Sequence, residues 1–329
     1  MDTKIAKNRF KNIMSQKIYT QRSLSLILLI FLIILVFSFL LNNFFTFGNL
    51  SITLLALSSK VIIGIGITFI LVSGLVDLSI GSTFGLCGAI TAFLIIRNIP
   101  IFFAVIIGLC TGAFIGLLNG LIVEKLHVNS IIATLAMLGI VRGVVVFIAE
   151  QPIAFLPQQF TVIGQKVILG LQSPIWIMLI LMVIFSPLLT KHRFFRQFYF
   201  IGSNPKAALL SGIRVSRLRI INFIIVGIFA GAAGIVYTAR VGSATAVSGS
   251  GLELKVIAAA IIGGCSLSGG EGTILGTFLG VVLMELILDV LVFAKVSTYW
   301  QDIITGLVLI FAVSIDYFIK SEGRRKAIN

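Results

Sequence analysis

Ten apolar runs divide the sequence between Leu24 and Ile319, and that pattern fixes what the chain can fold into. A helix crossing a ~30 Å hydrocarbon core needs about 20 residues, fewer where neighbours help. Runs at 24–41, 61–76, 80–96, 101–123, 128–149, 174–190, 221–239, 254–264, 273–293 and 301–319 supply such lengths. Two are short: 61–76, which 50–60 precedes as an interfacial helix ended by Lys60, and 254–264, which is short enough to be re-entrant. Charged residues make up 11% of the chain, against about 25% in soluble domains, and 58% is hydrophobic. That much apolar surface has no place to hide in a soluble fold of this length. The expectation is an all-α polytopic membrane protein with about ten transmembrane helices. Residues 1–23 form a basic N-terminal tail, 24–319 a single transmembrane domain with a basic loop at 191–220, and 320–329 a C-terminal tail. The first run, Leu24–Leu41, is long for a secretory signal and no small-residue cleavage site follows it.

The net charge of +14 is informative through its placement. Six Lys/Arg lie in residues 2–22, seven in 191–220 and four from Lys320 onward. Even numbers of crossings separate the three blocks, so all fall on one face, joined by Lys125. Lys60, Arg97, Lys166, Arg240, Lys255 and Lys295 go to the other. Such asymmetry places both termini in the cytoplasm. It also points to the lipid bilayer as partner and excludes nucleic acid, because no folded basic surface interleaved with aromatics is present.

Small residues recur at helical spacing. Gly108, Gly112, Gly116 and Gly120 form a ladder, as do Gly272, Gly276 and Gly280, and Gly227 pairs with Gly231; each predicts close helix contact in lipid. Two Gly/Ser breaks fall at similar places in the two halves, Asp77–Ser82 and Cys265–Gly270. They suggest an internal repeat and irregular backbone lining a pathway.

No catalytic or metal-binding constellation is present. His127 and His192 are apart, Cys87, Cys110 and Cys265 have no paired spacing, and no P-loop occurs. The chain is therefore read as non-enzymatic, without a cofactor or metal of its own; ATP-driven transport would need a separate ATPase subunit. Asp77 sits where it can cap a helix through Ser79, Ser82 and free backbone N–H groups, or contact a substrate. Glu285 and Asp289, four apart on one helix, face a wet cavity or the outer mouth. Arg142 is expected to snorkel outward or to pair with one of them.

The segment 202–220 has the most specific local grammar. Asn204 suits an N-cap, Pro205 the first helical position, and Gly212 the left-handed stop after a helix through Ser211. Ser216 is expected to cap the following crossing. Such a helix suits docking into a partner's groove through Leu209 and Leu210, or resting on lipid headgroups.

Taken together, several stretches resemble the ribose-type permeases of ATP-binding-cassette (ABC) transporters, within the branched-chain amino acid/ribose permease superfamily. They are Asn43–Thr46, Gly74–Ser82, Ile132–Leu135 with Arg142-Gly143, Gly202–Pro205 through Ala207-Ala208 to Ser211–Ile213, and Gly263–Gly272. The resemblance runs in order over about 43–318; Val76 and Cys265 depart from the usual residues. It implies the type II ABC importer permease fold in a bacterial inner membrane, translocating a sugar such as ribose or another pentose, or autoinducer-2. It also implies a second permease subunit, cytoplasmic ATPase subunits that use ATP, and a periplasmic or extracellular substrate-binding protein. Asn204, Pro205, Lys206, Ala207, Ala208, Leu209, Leu210, Ser211 and Gly212 would then form the coupling helix. Asp77, Ser79, Gly81, Ser82, Ser268, Gly269 and Gly270 would border the path, and Gln158, Gln159 and Lys166 in the loop 150–173 would receive the binding protein. Branched-chain amino acid or nucleoside import is a more distant substrate choice. An ion-coupled secondary transporter is the rival mechanism.

Overall fold

The computed structural model describes residues 23–41 and 43–328, so most of the expected tail at 1–23 lies outside the described residues. The described chain is almost wholly helical. Seven helices are long and apolar enough to cross a membrane: α1 (Ser23–Leu40), α2 (Phe47–Val72), α4 (Ile101–Lys125), α5 (Ser130–Ile148), α7 (Ser173–Lys191), α10 (Val215–Val241) and α12 (Ile274–Phe293). Three shorter pieces complete about ten crossings: α3 (Ile80–Ile96), α11 (Leu252–Ile262) and the apolar start of α13 (Thr298–Ile328). Between crossings lie α6 (Gln158–Gln165), a hairpin of β1 (Val167–Ile168) with β2 (Leu171–Gln172), α8 (Arg193–Ser203) and α9 (Pro205–Leu210).

The fold is organised around α10, which packs on α4, α3 and α2. The glycine ladder explains how. A Cβ on Gly112 would collide with the Gly227 carbonyl, one on Gly116 with the Phe223 carbonyl, and one on Gly120 would stand 2.9 Å from the Cα of Ile220. The backbones of α4 and α10 are in contact, and dispersion replaces the hydrophobic drive that lipid cannot supply. Gly276 and Gly280 place α12 against Gly263 and Ala259 at and after the end of α11 in the same way. The core around α2 is aromatic: Phe69 is fully buried and has Phe195 and Phe198 of α8 edge-on at 5.4 and 6.0 Å.

Several sequence expectations are corrected. Residues 50–60 are not an interfacial helix, because α2 runs unbroken through Lys60, whose ammonium pairs with Glu285 of α12. A charge that finds a partner inside the bundle need not end a crossing. Arg142 neither snorkels nor meets Glu285 or Asp289; its Nη1 donates to the carbonyls of Ala246 and Ser248, both at 2.9 Å. Ser216 is no cap, since α10 already begins at Val215 with Arg214 before it.

The crossing at 254–264 is a broken one. After α10 ends at Gly242 in the left-handed conformation, the irregular stretch 242–251 turns back along α3: a Cβ on Gly85 would stand 2.6 Å from the Ser248 carbonyl, and one on Gly81 2.5 Å from that of Gly249. Only then does α11 start. Non-helical backbone at such depth is tolerated where it is packed in protein or lines a cavity.

Candidate functional site

The second Gly/Ser break meets the turn that ends α2, ahead of the first break. The N–H of Gly270 donates to the carbonyl of Val72 at 2.8 Å, capping the end of α2 with the break between α11 and α12. A Cβ on Gly269 would stand 2.7 Å from N and Cα of Gly74 and 2.8 Å from the Cα of Gly202. Gly74 and Gly269 have φ of +75° and +79°, a region where L side chains are strained. Three segments, the turns after α2 and α11 and the end of α8, therefore touch backbone to backbone. Tyr199 of α8 adds a hydrogen bond from its hydroxyl to the Gly272 carbonyl at 2.8 Å.

Asp77 closes the neighbouring turn. Its Oδ1 accepts from the N–H and the hydroxyl of Ser79 at 2.8 and 2.6 Å, and Ser82 Oγ donates back to the Ser79 carbonyl at 2.9 Å. Asn119 of α4 donates to Ser79 Oγ at 2.8 Å and to Asp77 Oδ2 at 3.4 Å. Asp77 is 2% exposed. Its carboxylate serves as the local cap at the start of α3, because burial without these donors would be costly. Asn222 of α10 does the same for α2, donating to the Phe69 carbonyl and to Ser73 Oγ, both at 2.8 Å. The sequence reading missed Asn119 and Asn222; an amide inside an apolar helix was the available signal.

The predicted path residues thus split. Asp77, Ser79 and Ser82 face α4, Ser268 to Gly270 face Gly74 and α8, and Gly81 lies elsewhere. A Cβ on Gly81 would strike the carboxylate of Glu253, in the first turn of α11.

Next to the three-way junction, α9 projects outward. Asn204 Oδ1 accepts the Ala207 N–H at 3.0 Å, Pro205 is the first helical residue, and Gly212 has φ +82°. Ala208 alone is buried; Leu209 and Leu210 are 64% and 90% exposed. Among the described residues these two leucines, on a short, doubly capped helix, stay mostly uncovered.

On the opposite face, Gln158, Gln159 and Lys166 are exposed on and beside α6. Phe160 is fully buried beneath them, and Gln165 Nε2 donates to the Arg240 carbonyl at 2.9 Å. Phe155 and Leu169 stand out in the same loop region, 101% and 86% exposed. Nearby, Glu285 accepts from Lys60, and Asp289 accepts from the hydroxyl of Thr53. Both acids therefore tie α12 to α2, which is why two like charges tolerate one helix face.

Among known proteins, residues 49–313 match the family described as branched-chain amino acid transport system / permease component. The chain is 37% identical over 305 residues to the ribose import permease protein RbsC of Escherichia coli (strain K12), covering 91% of this chain and 95% of that one. It is 39% identical over 206 residues to the autoinducer 2 import system permease protein LsrC of Klebsiella pneumoniae, covering 62% and 60%. It is 33% identical over 242 residues to the L-arabinose ABC transporter permease protein AraH of Azospirillum brasilense, covering 73% and 71%. No solved structure matches the chain.

Proposed function

The chain belongs to the branched-chain amino acid transport system / permease component family, a family of transport permeases and not of enzymes, and from that premise we propose that it is the membrane-spanning subunit of an ABC importer for a monosaccharide. Ribose or another pentose is the favoured cargo, with autoinducer-2 as a relative of the same chemical kind, because the similar proteins carry those names. In this reading a second permease copy completes the membrane unit in the bacterial inner membrane. Cytoplasmic ATPase subunits hold α9 in a groove, and a soluble binding protein outside delivers the sugar to the face carrying Gln158, Gln159 and Lys166.

The observation that carries the proposal is α9 itself. Its caps hold two turns, its leucines are bare, and it adjoins the junction where the second Gly/Ser break meets the turn after α2 and the end of α8. Closure of the ATPases on ATP would move α9, and the bundle would alternate its opening. Orientation follows from charge: with Lys60, Arg240 and Lys255 inside helices, three of the six basic residues assigned to the outer face remain there, against eighteen on the face of α9. Both termini are then cytoplasmic.

An ion-coupled transporter needs a carboxylate free to bind its ion. Asp77 and Glu285, the carboxylates expected to take such an ion, already accept hydrogen bonds from named partners, as does Asp289, while the buried Glu253 Oε2 has none among the described residues. Reconstitution tests the proposal. The chain alone in liposomes should move no sugar under any ion gradient, and uptake should appear only with ATPase, binding protein and ATP. Gradient-driven accumulation by the lone chain would refute the proposal.

A further inference from the structure

A cavity of about 350 Å³ opens between α2, α3, the end of α10 and the irregular stretch 242–251. Its wall runs from Arg240, in the last turn of α10, to Ser59, which lies twelve residues and about 18 Å into α2. The walls are of two kinds. Thr245, Ser248 and Ser250 bring hydroxyls, while the rings of Phe84 and Tyr237, tilted 52° to each other with centroids 5.3 Å apart, form an apolar side.

Two observations mark this as a site rather than a packing gap. Ser59, in the cavity wall, is 5% exposed and its buried Oγ has no hydrogen-bond partner among the described residues. A buried hydroxyl without a partner costs free energy that a hydroxylated ligand would recover. The non-helical backbone also supplies five of the lining residues, from Thr245 to Ser250, and Arg142 clamps it from behind through the Ala246 and Ser248 carbonyls. Irregular backbone inside a bundle is tolerated where it is packed in protein or lines a cavity, and here it lines one.

The chemistry selects the ligand class. An apolar ligand would strand the hydroxyls. Of the two cations in the wall, Lys60 is paired with Glu285, and Arg240 lies over the Tyr237 ring and donates to the Leu55 carbonyl, so an anion would find one partly engaged guanidinium against several hydroxyls. What remains is a ring face beside groups that both donate and accept, in a volume suited to a small ligand. We infer that this cavity is a transit site for a neutral polyol of monosaccharide size, entered from the face opposite α9. The inference rests on the importer reading and places its cargo away from Asp77.

The test uses the permease assembled with its ATPase and binding protein in proteoliposomes, with labelled D-ribose and L-arabinose as probes. If the wild-type complex takes up neither, the monosaccharide reading falls and this inference with it. Where it takes up one, Ser59→Leu should cut uptake at least tenfold while co-purification with the ATPase is unchanged; uptake within twofold of wild type overturns the site. Should Ser59→Leu fail to insert, Ser59→Cys in a Cys110→Ser background reads the same point. Excess transported sugar should slow modification at position 59 by a membrane-impermeant thiosulfonate at least threefold, and sucrose should not. Equal rates with and without the sugar overturn the site, and equal protection by D-ribose 5-phosphate overturns the neutral class.

Discussion

Replacing Leu209 and Leu210 together by Ala isolates what α9 contributes to docking. Ala is the best helix former, so the six-residue helix and its Asn204 cap should survive, and the change falls on exposed apolar surface. Burying a whole leucine side chain gives about 2 kcal/mol, and these two are 64% and 90% exposed, so a groove that covers both gains about 3 kcal/mol. Ala keeps part of that, leaving a loss of about 2 kcal/mol, or ~30-fold in affinity for the ATPase. The assay is a binding titration of the purified permease in nanodiscs against its ATPase, followed by sugar uptake. Insertion and thermal stability should not change, because neither side chain packs in the free chain. An affinity within threefold of wild type would show that α9 does not carry the contact.

Three further outcomes follow from the same geometry. Asn204→Ala with Gly212→Val removes the cap (about 1 kcal/mol) and forces a β-branched residue to φ +82° at a further 1–2 kcal/mol; uptake should fall while ATP hydrolysis continues, and normal uptake would remove the coupling role. Gly269→Ala puts a Cβ 2.7 Å from the backbone of Gly74 at positive φ, so thermal stability and uptake should both drop, whereas Gly139→Ala, with nothing within 4 Å, should leave melting unchanged or slightly higher. Lys60→Met leaves Glu285 buried without its partner and should cost about 3–5 kcal/mol, which Lys60→Met with Glu285→Leu should largely restore; equal melting losses for the single and double variants would deny the pair.

What the sequence revealed depended on how local the cause was. The helix at Pro205–Leu210 was readable because its cap, proline and left-handed glycine are neighbours in sequence and act on the same two turns. Crossings were readable because hydropathy is summed over a single segment. Lys60 was misread for the opposite reason: its partner Glu285 is 225 residues away, and without it a charge in an apolar run looks like an end. Arg142 shows the same failure, since its acceptors are carbonyls of a stretch whose return along α3 no periodicity announces. The glycines at 74, 202 and 269 stood in three separate stretches of sequence; that one contact needs all three is a property of the packed molecule.

That contact bears on how a small movement of α9 would reach the cavity between α2, α3 and the stretch 242–251. Gly202 ends the rigid α8 and lies against Gly74 and Gly269 with no side chain between them, so no flexible atoms absorb displacement at the junction. Gly269 follows α11, an eleven-residue helix about 16 Å long, and the other end of α11 carries Leu252 and follows Ser250, both in the cavity wall. In the proposed mechanism α11 is then a lever, held on one flank where Gly263 and Ala259 meet Gly276 and Gly280 of α12. Packed elements of this kind shift as units between discrete arrangements rather than deforming smoothly. A push at α8 would therefore change the wall at Ser250 and Leu252, whereas α2, tied to α12 through Lys60 and Asp289, would stay as the fixed side of the site. The broken crossing is what makes this possible, since a continuous helix through 242–262 would tie the lever to the end of α10.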